Sequence, residues 1–239
     1  MKQHYKKYKQ EEHAVWKLLF DRQKENLRKR ASKEYNNCLK AMAPCLNRET
    51  IPNFEEINTF FKEYTGWEIH VVPGLIPVDE FFDLLAEKKF CSSTWLRSKE
   101  QIDYLEEPDM FHDIFGHIPL LMNPTFSRFT EEFGKLGQQF KNNEEMLVKL
   151  QRIYWFTIEF GLIEENGELK IYGAGIASSY GETNHIFNSK LQHLKYDIHQ
   201  VMNCEFHTDH IQDKYFVIES FNELFNSLDK LKVQLKKTA

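Results

Sequence analysis

Phe126, Phe129, Phe133, Leu136 and Phe140 recur at steps of three and four, and Asn123-Pro124 stands directly ahead of them. That spacing puts the large apolar side chains on one side of a helix, which must bury that side against a sizeable core. Asn is a favoured N-cap and Pro fits the first helical turn, so the start of the helix is marked as well. The rest of the chain can supply such a core. Its 239 residues include 20 Phe, 10 Tyr and 4 Trp, and 41% are hydrophobic. At this length roughly 70–75% of the unfolded surface can be buried without a disulfide or metal staple. The aromatic content excludes a disordered chain. No apolar run approaches the ~18–20 residues of a membrane span, and the polar, basic start is not a signal peptide. Cys38, Cys45, Cys91 and Cys204 are scattered, with no Cys-x-x-Cys pair. They read as reduced thiols of a cytoplasmic protein.

Val15, Leu18, Leu19, Leu27, Ala31 and Tyr35 predict one helix over residues 11–43, ended by Pro44. Residues 68–72 predict a short strand that stops at Pro73-Gly74. Pro77 opens the next helix, with Asp79 and Glu80 near its positive end and Phe81, Leu84 and Leu85 as its buried stripe. Asn143 caps a helix running to Phe160 and stopped by Gly161. Asn166-Gly167, between Leu162-Ile163 and Leu169-Lys170-Ile171, predicts a hairpin. A last helix covers about residues 220–235. No repeat and no Pro/Gly-rich linker divides the chain. The expectation is a mainly α fold with a few short β-strands (α+β) and a single domain over 1–239, with the order of residues 1–10 left open. The formal net charge is −5, yet residues 1–40 carry 12 Lys/Arg against 5 Asp/Glu. Aromatics are not interleaved with these cations as a base-stacking platform needs, so they read as the solvated face of a helix, with no nucleic-acid partner.

Chemistry concentrates in residues 107–121. His112 and His117 are five apart, and on a regular helix they diverge by about 140°. Zincins place them four apart, so the spacing is a poor generic metal signature. The two can converge only if the helix is distorted or ends near Gly116. Glu159 is the best third ligand. It lies within Tyr154-Trp155-Phe156-Thr157-Ile158-Glu159-Phe160, where a carboxylate is costly unless it is paired or metal-bound. The alternative is a glutamate on the solvent side of an amphipathic helix. Two imidazoles and one carboxylate leave three positions of an octahedral ion open, the arrangement of non-haem Fe(II) oxygen chemistry.

At these residues the chain resembles the tetrahydropterin-dependent aromatic amino acid hydroxylases, most of all the short bacterial phenylalanine 4-hydroxylases. The resemblance is carried by Glu107-Pro108-Asp109-Met110-Phe111-His112-Asp113-Ile114-Phe115-Gly116-His117-Ile118-Pro119-Leu120-Leu121. It continues through Tyr154-Trp155-Phe156-Thr157-Ile158-Glu159-Phe160-Gly161-Leu162, Ile171-Tyr172-Gly173-Ala174-Gly175 and Ser178-Ser179-Tyr180-Gly181-Glu182. His13-Ala14-Val15-Trp16 and Tyr215-Phe216-Val217-Ile218 extend it over nearly the whole chain.

The resemblance implies that His112, His117 and Glu159 hold Fe(II) and that Arg97 grips the amino acid carboxylate. It places Pro108, Trp155 and Phe160 around the substrate ring. Ser178 would either hydrogen-bond a ligand histidine or position the substrate. Gly74, Leu75 and Ile76 would form the tetrahydropterin site, with Phe81 stacked on the pterin and Asp113, where many relatives have Glu, reaching it through water. Cys91 and Leu105 depart from the histidine and threonine of the animal enzymes. The implied reaction is hydroxylation of L-phenylalanine to L-tyrosine with O2 and tetrahydropterin, tryptophan being the next substrate. The implied protein is a monomeric catalytic domain with no regulatory or tetramerisation domain. Two other classes stay open on the residues alone: a zinc hydrolase using the same three ligands, and a helical binding protein with inert histidines.

Overall fold

The computed structural model describes residues 1–238 apart from 104, 106, 189, 209 and 210, with backbone alone for 233–238. Helix α1 spans Gln10–Leu27, α2 Lys33–Ala41 and α3 Phe54–Tyr64. Strand β1 (Glu68–Val71) leads through residues 72–77 into α4 (Val78–Ala86) and then β2 (Lys89–Ser92). Helices α5 (Pro124–Gln139) and α6 (Glu144–Tyr154) are followed by β3 (Leu162–Glu165) and β4 (Glu168–Ile171). Two short helices, α7 (Ala174–Ser178) and α8 (Tyr180–His185), precede β5 (Gln192–Lys195), α9 (Ile198–Met202), β6 (Lys214–Ile218) and α10 (Phe221–Thr238).

β1 and β2 pair in parallel, which requires the crossover that α4 supplies. The other sheet has the order β4-β3-β6-β5; its β3–β4 pair is antiparallel, and β6 runs parallel to both β3 and β5. The hairpin forms where Asn166-Gly167 predicts it. Both residues have positive φ, 55° and 77°, as a two-residue turn matching strand twist demands. The Asn123 side chain accepts from the Phe126 N–H, and Asn143 does the same for Met146, so both caps act as read. Phe126, Phe129, Phe133 and Leu136 of α5 are buried.

The helix expected over 11–43 is broken. Ser32 donates its N–H to the Ile171 carbonyl (2.7 Å), and Ile171 returns one to the Arg30 carbonyl (2.8 Å), so the chain leaves helix to lie along β4. Ser32 then caps α2 by accepting from the Tyr35 N–H. The buried stripe of α1 is Trp16, Leu19, Phe20, Gln23 and Leu27, while Leu18 is exposed and Val15 half-buried. On α4 the buried aromatic is Phe82, not Phe81. The start of the chain is tied down. The Gln3 side chain donates to the Pro52 carbonyl (3.0 Å) and accepts from the Phe54 N–H (2.9 Å), and the Tyr8 hydroxyl donates to the Thr94 carbonyl (2.7 Å). No described helix is long and apolar enough to cross a membrane.

Candidate metal centre and its cavity

Two wide helical turns bring the three candidate ligand residues together. Residues 112–117 form a π-helical turn, and so do residues 155–159 at the end of α6. In a π turn the backbone bonds from i to i+5, as the Phe160 N–H does to the Trp155 carbonyl (2.8 Å). Residues five apart then share a face. That removes the 140° divergence an α-helix would impose, and His112 and His117 point the same way. Neighbouring elements hold the first turn in place. The Tyr35 hydroxyl donates to the Phe115 carbonyl (2.6 Å), and α7 lies so close that a Cβ on Gly116 would stand 2.9 Å from the Ala174 carbonyl oxygen. Gly173 has the matching role behind Glu159, since a Cβ there would stand 2.4 Å from the Glu159 carbonyl oxygen.

The candidate ligand atoms converge. The Nε2 atoms of His112 and His117 are 3.2 Å apart, His117 Nε2 is 3.1 Å from Glu159 Oε1, and His112 Nε2 is 3.7 Å from Glu159 Oε2. Donors about 2.1 Å from one ion stand roughly 3.0–3.4 Å apart, depending on geometry, so a single first-row cation fits among these three. Protonation suits the same purpose. Burial pushes the His112 imidazole down to about 4, keeping it neutral. Burial works against the Glu159 charge, but His117, His112 and the Tyr154 hydroxyl outweigh it and hold the carboxyl at about 2.

Ser178 settles how His112 is oriented. Its Oγ lies 2.8 Å from the Ala174 carbonyl and 2.9 Å from His112 Nδ1. A carbonyl can only accept, so the serine proton goes there and Nδ1–H of His112 donates to Oγ. That tautomer leaves the Nε2 lone pair for a metal. Partners of this kind are worth 10–100-fold in metal affinity. Ser178→Ala therefore weakens metal retention by about that factor with the three ligands intact, and a chelator competition measures it.

A cavity of about 350 Å³ opens beside the ligands. Its wall includes Gly74, Leu75, Ile76, Phe81, Asp113, Pro108 and Trp155, all singled out in the sequence. Leu75, at the tip of its turn, is 75% exposed. Phe81 faces the cavity and meets Tyr154 edge-on at 5.0 Å. Burial pushes Asp113 up to about 7, and it accepts from the Ser93 N–H (2.9 Å). The Ser93 hydroxyl on the same wall is buried with no partner among the described residues, a polar atom a bound ligand can satisfy. Phe160 is not on the wall; it backs the Trp155 ring at 4.6 Å. Ser178 sits behind His112, and Arg97 is likewise outside the cavity lining.

Arg97 is instead locked to a residue the sequence reading passed over. Its Nε and Nη2 each donate to an Asp109 carboxylate oxygen at 2.8 Å. The same carboxylate accepts the N–H of Arg97 (2.9 Å) and of His112 (3.1 Å), which joins the arginine to the first ligand. Burial opposes the Asp109 charge, but Arg97 more than compensates and its carboxyl stays below the usual range. The signal for this residue was an acid amid Pro108, Met110 and Phe111, company that makes an unpaired carboxylate expensive. Glu182 and Gln212 were passed over too. Gln212 Oε1 accepts the indole N–H of Trp155 (3.1 Å), and its backbone N–H reaches Glu182 (3.3 Å), which also accepts from the Tyr215 hydroxyl (2.7 Å).

A family model described as biopterin-dependent aromatic amino acid hydroxylase matches residues 3–239. The chain belongs to this family. Among relatives of the hydroxylase, the phenylalanine-4-hydroxylase of Ralstonia nicotianae is 41% identical over 95% of this chain and 72% of its own length. That of Chromobacterium violaceum is 42% identical over 92% of this chain and 74% of its own. The tyrosine 3-monooxygenase of Rattus norvegicus is 35% identical, with 44% of its length covered. A crystal structure of the Chromobacterium violaceum enzyme with bound iron(III) and 7,8-dihydrobiopterin matches with a TM-score of 0.92 and 40% identity. The match covers 99% of this chain and 86% of that one. The hydroxylase fold is therefore the mainly α fold with short strands expected from the sequence.

Proposed function

We propose that this hydroxylase converts L-phenylalanine to L-tyrosine with O2 and a tetrahydropterin, at a ferrous ion held by His112, His117 and Glu159. The convergence of those three ligands beside one cavity carries the reading. Names of relatives support it: six bacterial phenylalanine-4-hydroxylases are 41–42% identical to this chain, and one crystal structure of the Chromobacterium violaceum enzyme holds iron and phenylalanine. When bound, the ferrous ion and the pterin supply the activation of O2.

The chain's residues bind, orient and exclude water. Asp109 engages Nε and Nη2 of Arg97, which leaves the Nη1 protons of the fork for a substrate carboxylate. Pro108 and Trp155 offer flat apolar surfaces to the substrate ring, and Phe160 and Gln212 hold Trp155 in place. Fixing the substrate at both ends sets its para carbon against the metal face, a positioning effect. Gly74, Leu75 and Ile76 offer backbone groups to the edge of the pterin, and Phe81 offers a ring to its face. Phe81→Ala raises the Michaelis constant for the pterin and leaves that for phenylalanine within about twofold, in steady-state assays varying each in turn.

The proposal includes a monomer in the cytoplasm, in keeping with four free cysteines. The deciding experiment incubates the protein with Fe(II), tetrahydropterin, O2 and equal phenylalanine, tryptophan and tyrosine. Mass spectrometry should find tyrosine formed from phenylalanine as the main product. Zinc in the purified protein with hydrolytic activity in the absence of O2 would replace the proposal.

A further inference from the structure

The buried stripe of α1 contains four apolar residues and one amide, Gln23, which is 2% exposed. Burying an amide in such a stripe costs free energy unless its hydrogen bonds are made. Here the bonds of its donor are made to one place. Nε2 of Gln23 lies 2.8 Å from the Ala177 carbonyl, 3.1 Å from the Ser179 carbonyl and 2.8 Å from Thr183 Oγ1. Ala177 and Ser179 flank Ser178, whose hydroxyl accepts from His112 Nδ1. Thr183 completes the brace with its hydroxyl 2.7 Å from the Ile176 carbonyl and 2.8 Å from the Ser179 carbonyl.

The carbonyls at the end of a helix lack partners within it, and α7 has only five residues to hold its own shape. Its last turn nevertheless has to hold one hydroxyl at hydrogen-bond distance from the ligand histidine. We propose that Gln23 is a positioning residue for the metal centre, fixing the Ser178 hydroxyl, and through it His112, from helix α1. This rests on the reading that His112, His117 and Glu159 hold iron.

The test is a double-mutant cycle on the iron-loaded protein, reading the rate of iron loss to excess chelator. Gln23→Met keeps the volume and removes the donor. In the presence of Ser178 it should speed iron loss by about tenfold, the scale of an outer-shell partner. In the Ser178→Ala background the same substitution should change the rate by less than about twofold, because the path through the hydroxyl is already cut. A purely structural role would instead multiply the rate by the same factor in both backgrounds. That outcome, or no acceleration at all, overturns the proposal. If Gln23→Met does not fold, Gln23→Asn, one methylene short of its acceptors, is read by the same criterion. Unsubstituted protein that retains no stoichiometric iron would refute the ligand reading itself. Retained iron with an additive cycle would refute Gln23 alone.

Discussion

His117→Ala yields a protein that no longer retains iron and hydroxylates phenylalanine at least about a thousandfold more slowly, a loss of roughly 4 kcal/mol in transition-state stabilisation. His117 has the most central place among the three proposed ligands. Its Nε2 is 3.2 Å from that of His112 and 3.1 Å from Glu159, and its ring packs near Phe90, with centroids 4.5 Å apart, and Tyr154, at 6.3 Å. Alanine removes the donor and leaves the Glu159 charge facing a single imidazole, and no other described group of three His, Cys, Asp or Glu could hold an ion. Metal analysis of the purified variant with single-turnover assays checks this. A variant holding about one iron per chain, or turning over at the unsubstituted rate, would remove His117 from the ligand set.

Asp109→Ala should cost about 3–5 kcal/mol of stability, the scale of a buried ion pair that loses one partner. Arg97, 9% exposed, would keep its charge with no carboxylate of the described residues beside it, and the N–H groups of Arg97 and His112 would lose their acceptor. For a chain of this size the loss lowers the thermal midpoint by roughly 10 °C or more. The Michaelis constant for phenylalanine should rise with it, because the guanidinium fork is no longer aimed. Arg97→Ala carries a stability cost of the same kind, because it leaves the Asp109 carboxylate, 0% exposed, without its cation. It also removes the Nη1 donors, so phenylalanine binding should weaken in addition, by about 2–4 kcal/mol for a charge-assisted hydrogen-bonded pair. Scanning calorimetry and steady-state kinetics measure both. An Asp109→Ala protein melting at the unsubstituted temperature would show that the pair carries no such weight.

What could be read from the residues was local. The Phe spacing of α5, its Asn123-Pro124 start and the Asn166-Gly167 turn act within a few residues, and the structure follows them. What could not be read depends on distant partners. The break between α1 and α2 exists because Ser32 and Arg30 bond to Ile171. The convergence of His112 with His117 needs a π turn, which Tyr35 and the close approach of α7 to Gly116 hold in place. Phe81 and Phe82 have the same side chain one position apart, and only the packing of α4 decides which one is buried in the core. Asp109 and Gln23 were missed for a related reason, since burial turns an ordinary polar residue into a structural one and burial is not written in one segment.

The parallel pairing of β1 with β2 has a consequence for where this hydroxylase can change. The segments that leave these strands at their carboxyl ends, around Gly74 and Ser93, contribute the walls of the cavity, as ligand sites in parallel sheets generally do. The opposite rim is the linker Thr65-Gly66 and the turn Glu87-Lys88, where positive φ at Gly66 and Lys88 marks tight corners away from the ligands. Extra residues accumulated on that rim would leave the reaction chamber its shape, whereas one residue gained among 73–76 would reshape the chamber itself.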